Sequence, residues 1–458
     1  MKTWNFKGLL QQNGWIENVY VSVDNKGLIK DISTAKPDHQ NIEKVDGFAI
    51  PGFQNAHSHA FQFAMAGLAE VHPEPSSHDD FWSWRETMYE IALSISPEQL
   101  ESVAAMLYME MLKHGYTSVA EFHYLHHDKN GNPYSNHAEM SMRLMSAASE
   151  VGMDITIVPI FYQKGGFGNS PRTDQRRFIS ATSDDYFWLL ESCKTAATSF
   201  QNARVGTGIH SLRAVSEEDI KFTFDNHGEM PLHIHIAEQL KEVEDCMNFY
   251  GMRPVQWLLN NVNVNDQTHL VHATHLSKEE MEWTAGSGAH VVLCPSTEGN
   301  LGDGLFPLKN YQDLNGNWSI GTDSHIGLNP LEELRILDYG QRLTTHRRNN
   351  FVSDQCGNTG EYALRKALIS GRKAMGNHSN DYFVVGQPFN AVIIDANQVL
   401  IATSSMDYIL PTLIYSGDCT FFSGTITNGT WVVKNLSHQL KHEVESGFIN
   451  AIKSLNIR

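Results

Sequence analysis

The sequence predicts an α/β protein: a (β/α)8 TIM barrel with a small composite β-sandwich domain built from the N- and C-terminal segments. Three observations lead there. Eight short apolar stretches recur between residues 51 and 379, and segments of helical periodicity separate them. Both ends of the chain carry strand texture of their own. Histidines and carboxylates gather at the C-terminal ends of the apolar stretches, where a parallel barrel collects the side chains of its pocket.

Residues 1–50 supply the first part of the small domain. WNFKGLL and NVYVSVDNKGLIKDIS read as strands, with Asp24-Asn25-Lys26-Gly27 as a turn signal. The barrel spans 51–379. Its strands are AIPGFQNAHSHA, YTSVAEFHY, DITIVPIFY, ARVGTGIHSL, MPLHIHIAE, THLVHATHL, AHVVLCPST and NWSIGTDS. Between them lie helices such as SPEQLESVAAMLYMEMLKHG, with Ser96 and Pro97 as a start signal and Gly115 as a stop. Strand, helix and strand in this alternation fit a closed barrel better than a two-sided open sheet. Residues 380–435 return to strands, NAVIIDANQVLIA and CTFFSGTITNGTWVVKN, the latter folded at Asn428-Gly429. Residues 436–458 predict an exposed C-terminal helix.

Composition narrows the function classes. The 458 residues are 41% hydrophobic, enough for a sizeable core, and contain neither an apolar run of membrane-spanning length nor a secretory signal pattern. Lys plus Arg is 34 against 52 Asp plus Glu, and the net charge of −18 disfavours nucleic acid or an anionic membrane as partner. Five scattered cysteines, never spaced as CxxC, argue against a disulfide framework or a thiolate metal site. A reducing cytoplasm is the expected setting. The 23 histidines raise a metal hypothesis.

The strand-end residues are His57 and His59; His123 and Tyr124; His210 and Arg213; His233, His235 and Glu238; His272; Cys294 to Glu298; Asp323 and His325. Side chains alternate along a strand, so His57 and His59 share a face, as do His233 and His235. Three imidazoles, one carboxylate and an open position suit a catalytic divalent ion such as zinc. A lone HxH is more often structural than metal-binding. The conjunction of HxH, HxxE, a sixth-strand histidine and an eighth-strand aspartate is what favours a site. His72, His78, His126, His127, His137 and His346 read as structural or solvated, and Cys294 as a buried small hydrophobe.

PGFQNAHSHAF, PLHIHIAE, LVHATHL, VVLCPSTEGNLGDG and GTDS, in this order, resemble the amidohydrolase superfamily in its mononuclear zinc aminohydrolase branch. GQPFNAVIID resembles the entry to that superfamily's composite β domain, except that Asn390 stands where Asp is usual. The fourth strand end, GIHSLR, offers no lysine to bridge two metals, so one zinc per subunit is expected. HSHAFQFAMAGLAE, FWSWRETMY, EFHYLHHD, GIHSLRAV, HIHIAEQLKEVEDC, CPSTEGNLGDGLFPL and GTDSHIGLNPLEELRIL are similar, over almost the whole chain, to the N-formimidoyl-L-glutamate deiminases of histidine catabolism. That resemblance implies His57, His59, His235 and Asp323 as zinc ligands and Glu238 and His272 as the catalytic pair. It implies Gln62, Arg85, Tyr124, His210 and Arg213 as substrate contacts, and a homodimer.

The chemistry agrees. Zinc lowers the pKa of a bound water to about 7, and a protonated formimidoyl carbon is a good electrophile. Asp323 and His272 are expected to take the water's proton and Glu238 to deliver one to the departing ammonia. Two carboxylates on the substrate call for guanidinium forks, for which Arg85 and Arg213 are suited. Arg85, beside Trp82 and Trp84, has a competing reading as a stacked or surface arginine. Two rival functions remain: a purine deaminase of the same branch, and a barrel that has lost its chemistry. The first wants aromatic stacking in place of two arginines; the second should lack a ligand.

Overall fold

The computed structural model describes residues 1–38, 41–70, 81–348 and 350–457. His72 and His78 lie outside the described residues, as does the Trp82 side chain. One of two sheets holds Phe53–Ser58, Tyr116–His123, Asp154–Phe161, Thr207–Ile209, Leu232–Ile236, Thr268–His272, His290–Leu293 and Asn317–Ile320, in chain order and all parallel. Ala203–Val205 pairs with the third strand, so the fourth predicted segment is split in two. A parallel bridge between Ser58 and Asp323 joins the last strand's exit to the first, and the sheet is a nearly closed barrel. Its strands are buried almost without alternation because both faces are covered; Phe53–Ser58 is buried at every residue.

The other sheet joins the chain's two ends. Its order is Ser437–His438, Thr430–Lys434, Phe422–Thr427, Ala391–Asp395, Ile42–Pro51, Lys2–Gln11, Gly14–Val23 and Ile29–Ser33. Only Lys2–Gln11 with Ile42–Pro51 is parallel. Asn390 ties this sheet to the barrel: its Nδ2 donates to Asp154 Oδ2 at 2.8 Å, and its Oδ1 accepts from Asn428 N at 2.7 Å. An aspartate here would set two carboxylates side by side, which accounts for the departure from the superfamily pattern.

Local signals hold where a cap or turn fixes them. Ser96 and Gln99 form a reciprocal capping box on helix Pro97–Lys113, an arrangement that contributes about 1 kcal/mol. Two expectations differ. VLIA, read as strand, is a helical turn at Val399–Ala402, because Asp395 Oδ1 accepts from Asn397 N at 2.9 Å and turns the chain out of the sheet. The C-terminal helix, Lys441–Leu455, is not exposed throughout: Val444, Ala451 and Ile452 are buried and it packs on Pro97–Lys113. No helix among the described residues is long and apolar enough to cross a membrane.

Strand register also sets a row of buried histidines below the pocket. His233 lies opposite His269, and His269 opposite His290, with ring centroids 4.8 and 5.1 Å apart. His233 Nε2 donates to Ala374 O at 2.9 Å, and His290 Nδ1 meets Ser370 Oγ at 2.8 Å. His233 thus belongs to this lower layer, two residues down the strand from His235.

Candidate active site

The first strand delivers His57 and His59 to one place because a buried carboxylate holds its exit. Glu121, from the second strand, accepts from Ser58 Oγ at 2.6 Å, Ala60 N at 2.6 Å and Tyr108 OH at 3.1 Å. His57 Nε2 then lies 3.1 Å from His59 Nε2 and 3.0 Å from His235 Nε2. Asp323 Oδ1 lies 3.4 Å from His57 Nε2 and 3.2 Å from His59 Nε2.

Backbone carbonyls choose the tautomers. His59 Nδ1 donates to Phe122 O at 2.8 Å and His235 Nδ1 to His210 O at 3.1 Å, so both rings present Nε2 lone pairs to the centre. Burial lowers His57 to about 3 and His235 well below the usual imidazole range. Burial alone would raise the Asp323 carboxyl, but the His57 and His59 rings hold it well below the usual range. Converging imidazole nitrogens and an ionised carboxylate fit a divalent cation.

Among the described residues, the donor atoms of His57, His235, His272 and Asp323 lie within 4.8 Å of one another. That group includes His272 and not the expected ligand His59, whose Nε2 nevertheless lies 3.1 Å from His57 Nε2 and 3.2 Å from Asp323 Oδ1. The surroundings of His272 differ from those of the other rings: Nδ1 is 3.3 Å from Glu298 Oε1, and Nε2 is 3.7 Å from Glu238 Oε1 and 3.8 Å from Asp323 Oδ2. Burial opposes a charge on His272, yet Glu238, Glu298 and Asp323 outweigh it and raise the ring to about 10. Burial raises Glu238 against the pull of His272 and Arg213.

One pocket opens onto this centre. His59, Gln62, Arg85, Tyr124, His210, Arg213, His235, Glu238, His272 and Asp323 all line it, so every proposed substrate contact is brought together with the metal cluster. Arg85 is buried, against the surface reading, with its Nε donating to Tyr89 OH at 2.8 Å. Two polar atoms in the lining are buried without a partner among the described residues: Arg213 Nε, a donor, and Gln62 Oε1, an acceptor. Such orphans leave one donor and one acceptor available to a ligand.

Other singled-out residues fall outside. His123 contacts His126 rather than the pocket, and His325 braces the His57–His59 segment, accepting from His59 N at 3.3 Å. Glu298 stands behind His272, and Asn300 donates to Glu70 Oε1 at 2.8 Å. His126 and His127 meet the carbonyls of Ile160 and Ile179, His137 stacks on Trp188, and His346 caps helix Pro330–Thr345. Cys294 is buried. The sequence reading missed Tyr89 and Tyr162, which also line the pocket. Tyr89 is four residues beyond Arg85 on the same helix face, and Tyr162 directly follows the third strand.

A nearly closed parallel barrel with imidazoles and carboxylates converging at its strand ends defines a metal-dependent hydrolase architecture. The chain belongs to the amidohydrolase family, whose model matches residues 48–432. It is 40% identical to a formimidoylglutamate deiminase of Pseudomonas aeruginosa, over 97% of this chain and 98% of that one. A 5-methylthioadenosine/S-adenosylhomocysteine deaminase of Archaeoglobus fulgidus is 27% identical over 74% of each chain. The crystal structure of an amidohydrolase from Brucella melitensis superimposes with a TM-score of 0.93, at 38% identity and complete coverage of both chains.

Proposed function

We propose that this enzyme hydrolyses N-formimidoyl-L-glutamate to N-formyl-L-glutamate and ammonia, a step of L-histidine degradation, with one zinc ion per subunit. The carrying observation is the pocket in which Arg85 and Arg213 stand beside the Glu238–His272–Asp323 group, in a chain alike from end to end to a formimidoylglutamate deiminase. Two guanidinium groups suit a dicarboxylate. His57, His59, His235 and Asp323 would hold the metal, and His272, with Nε2 3.8 Å from Asp323 Oδ2 and 3.7 Å from Glu238 Oε1, stands between the ligand carboxylate and the proton carrier. The ion, when bound, makes water a nucleophile near neutral pH.

The remaining steps belong to side chains. Arg213, with its orphaned Nε, and Arg85 bind the two carboxylates; Gln62 Oε1 accepts an N–H of the formimidoyl group. Tyr124 and His210 shape the wall. Asp323 takes the proton of the attacking water, with His272 beside it as a hydrogen-bonding partner, and Glu238 carries one to the amino group as the C–N bond breaks. The amidine plus water gives the formamide plus ammonia, with atoms and charge balanced. The same reading carries a cytoplasmic homodimer.

Ammonia release by metal-analysed enzyme, measured with N-formimidoyl-L-glutamate, guanine and adenosine, tests this. Turnover is expected with the amino-acid substrate alone. Turnover of a purine and none of the amino-acid substrate would favour the heterocycle deaminases instead.

A further inference from the structure

Tyr89 and Tyr162 stand at the pocket in an unusual hydrogen-bonding state. Gln175 is buried, and its Oε1 accepts from Arg172 N at 2.8 Å, which turns its amide nitrogen toward the two tyrosines. That Nε2 lies 3.1 Å from Tyr89 OH and 2.9 Å from Tyr162 OH, so its two hydrogens serve one oxygen each. Arg85 donates to the same oxygens, from Nε to Tyr89 at 2.8 Å and from Nη2 to Tyr162 at 3.3 Å.

A phenol oxygen has two lone pairs and one hydrogen, and neither a guanidinium nor an amide nitrogen accepts. Both lone pairs of each tyrosine are therefore occupied, and each hydrogen must find its acceptor elsewhere. Among the described residues neither hydroxyl donates to anything, although both side chains are buried and line the pocket. A network built only to hold the fold would end on internal acceptors. This one ends on two donors beside a cation.

We propose that Tyr89 and Tyr162 bind substrate directly, their hydroxyl hydrogens joining Arg85 in a three-pronged seat for one carboxylate, and that Gln175 is the positioning residue that keeps them donors. The inference rests on the dicarboxylate reading of the pocket. Burial and the neighbouring phenol keep Tyr89 protonated well beyond neutral pH, against the pull of Arg85.

The test combines turnover of N-formimidoyl-L-glutamate with calorimetric binding of N-formyl-L-glutamate and two analogues, each lacking one carboxylate: N-formyl-4-aminobutyrate and N-formyl-2-aminobutyrate. Tyr89→Phe and Tyr162→Phe should each raise KM about tenfold with kcat within about threefold, the loss of one hydrogen bond to a charged group. They should also lower the preference for the dicarboxylate over one of the analogues by a similar factor. Gln175→Glu puts an acceptor where the donor stood and draws the tyrosine hydrogens inward; it should match the Tyr→Phe loss with both tyrosines intact. Unchanged KM and binding in the tyrosine variants, or equal weakening of all three ligands, would overturn the proposal. If wild-type enzyme binds no dicarboxylate, the functional reading falls with it; if it does and the variants bind equally well, only the seat falls.

Discussion

Ser58 and Asp323 pair across the seam where the barrel closes, and the backbone beside them is locked in the same way: His59 N donates to Asp323 O at 3.3 Å. One seam thus carries both the two-histidine segment and the carboxylate that faces it. The positive φ of 46° at Asp323 turns its side chain across the strand end, a conformation that aspartate and asparagine tolerate better than most residues. The contacts that close the barrel also set the candidate metal ligands facing one another.

The cluster and the proton carrier should separate under mutation. Asp323→Asn keeps the backbone conformation but removes the charge facing His57 and His59, and the metal content of purified enzyme should fall well below one equivalent. Glu238→Gln touches no proposed ligand; it should retain a full equivalent while kcat falls by about 10²–10⁴. Metal analysis beside steady-state kinetics reads both. Near-normal turnover in Glu238→Gln would remove that residue from proton transfer.

Much of this site is legible in the sequence because strand geometry is simple. Alternation puts His57 and His59 on one face, and strand ends of a parallel barrel converge, so His235, Glu238, His272 and Asp323 could be gathered from positions far apart. Glu121 and Gln175 were not legible. Each acts through partners distant in sequence, and no periodicity links a residue in the turn Thr173–Gln175 to tyrosines at 89 and 162. VLIA illustrates another limit: four apolar residues have no distinguishing period, and the turn before them decided the outcome.

Arg213 has a structural duty beside its proposed ligand. Its Nη1 lies 3.5 Å from Glu242 Oε2, and that buried carboxylate also accepts from Ala237 N at 3.3 Å and Glu238 N at 3.2 Å. Arg213→Met should raise KM for the dicarboxylate by about 10–100-fold, as expected for a lost charge-assisted contact. It should also destabilise the fold by about 3 kcal/mol, because Glu242 is left buried without a counter-charge. Adding Glu242→Gln should recover most of the stability and none of the KM. Recovery of both would mean that Arg213 acts only by holding Glu242. Chemical denaturation and kinetics on the two variants separate these outcomes.

His290 makes the stability of the barrel floor depend on pH. Burial, with Lys373 nearby, lowers its folded pKa from 6.5 to about 3. Between those values the unfolded chain binds a proton that the native ring refuses, so stability rises with pH. The contribution is complete above pH 6.5 and is lost as pH falls toward 3. His290→Asn removes the titrating ring while leaving a polar side chain near Ser370 Oγ. Whatever fixed amount the substitution costs in packing, wild type should lose about 1 kcal/mol more than the variant between pH 6 and pH 5, since a full proton of difference is about 1.4 kcal/mol per pH unit. Urea unfolding of both proteins across that interval measures the difference directly. Parallel stability curves would show that His290 binds its proton equally in the folded and unfolded chains.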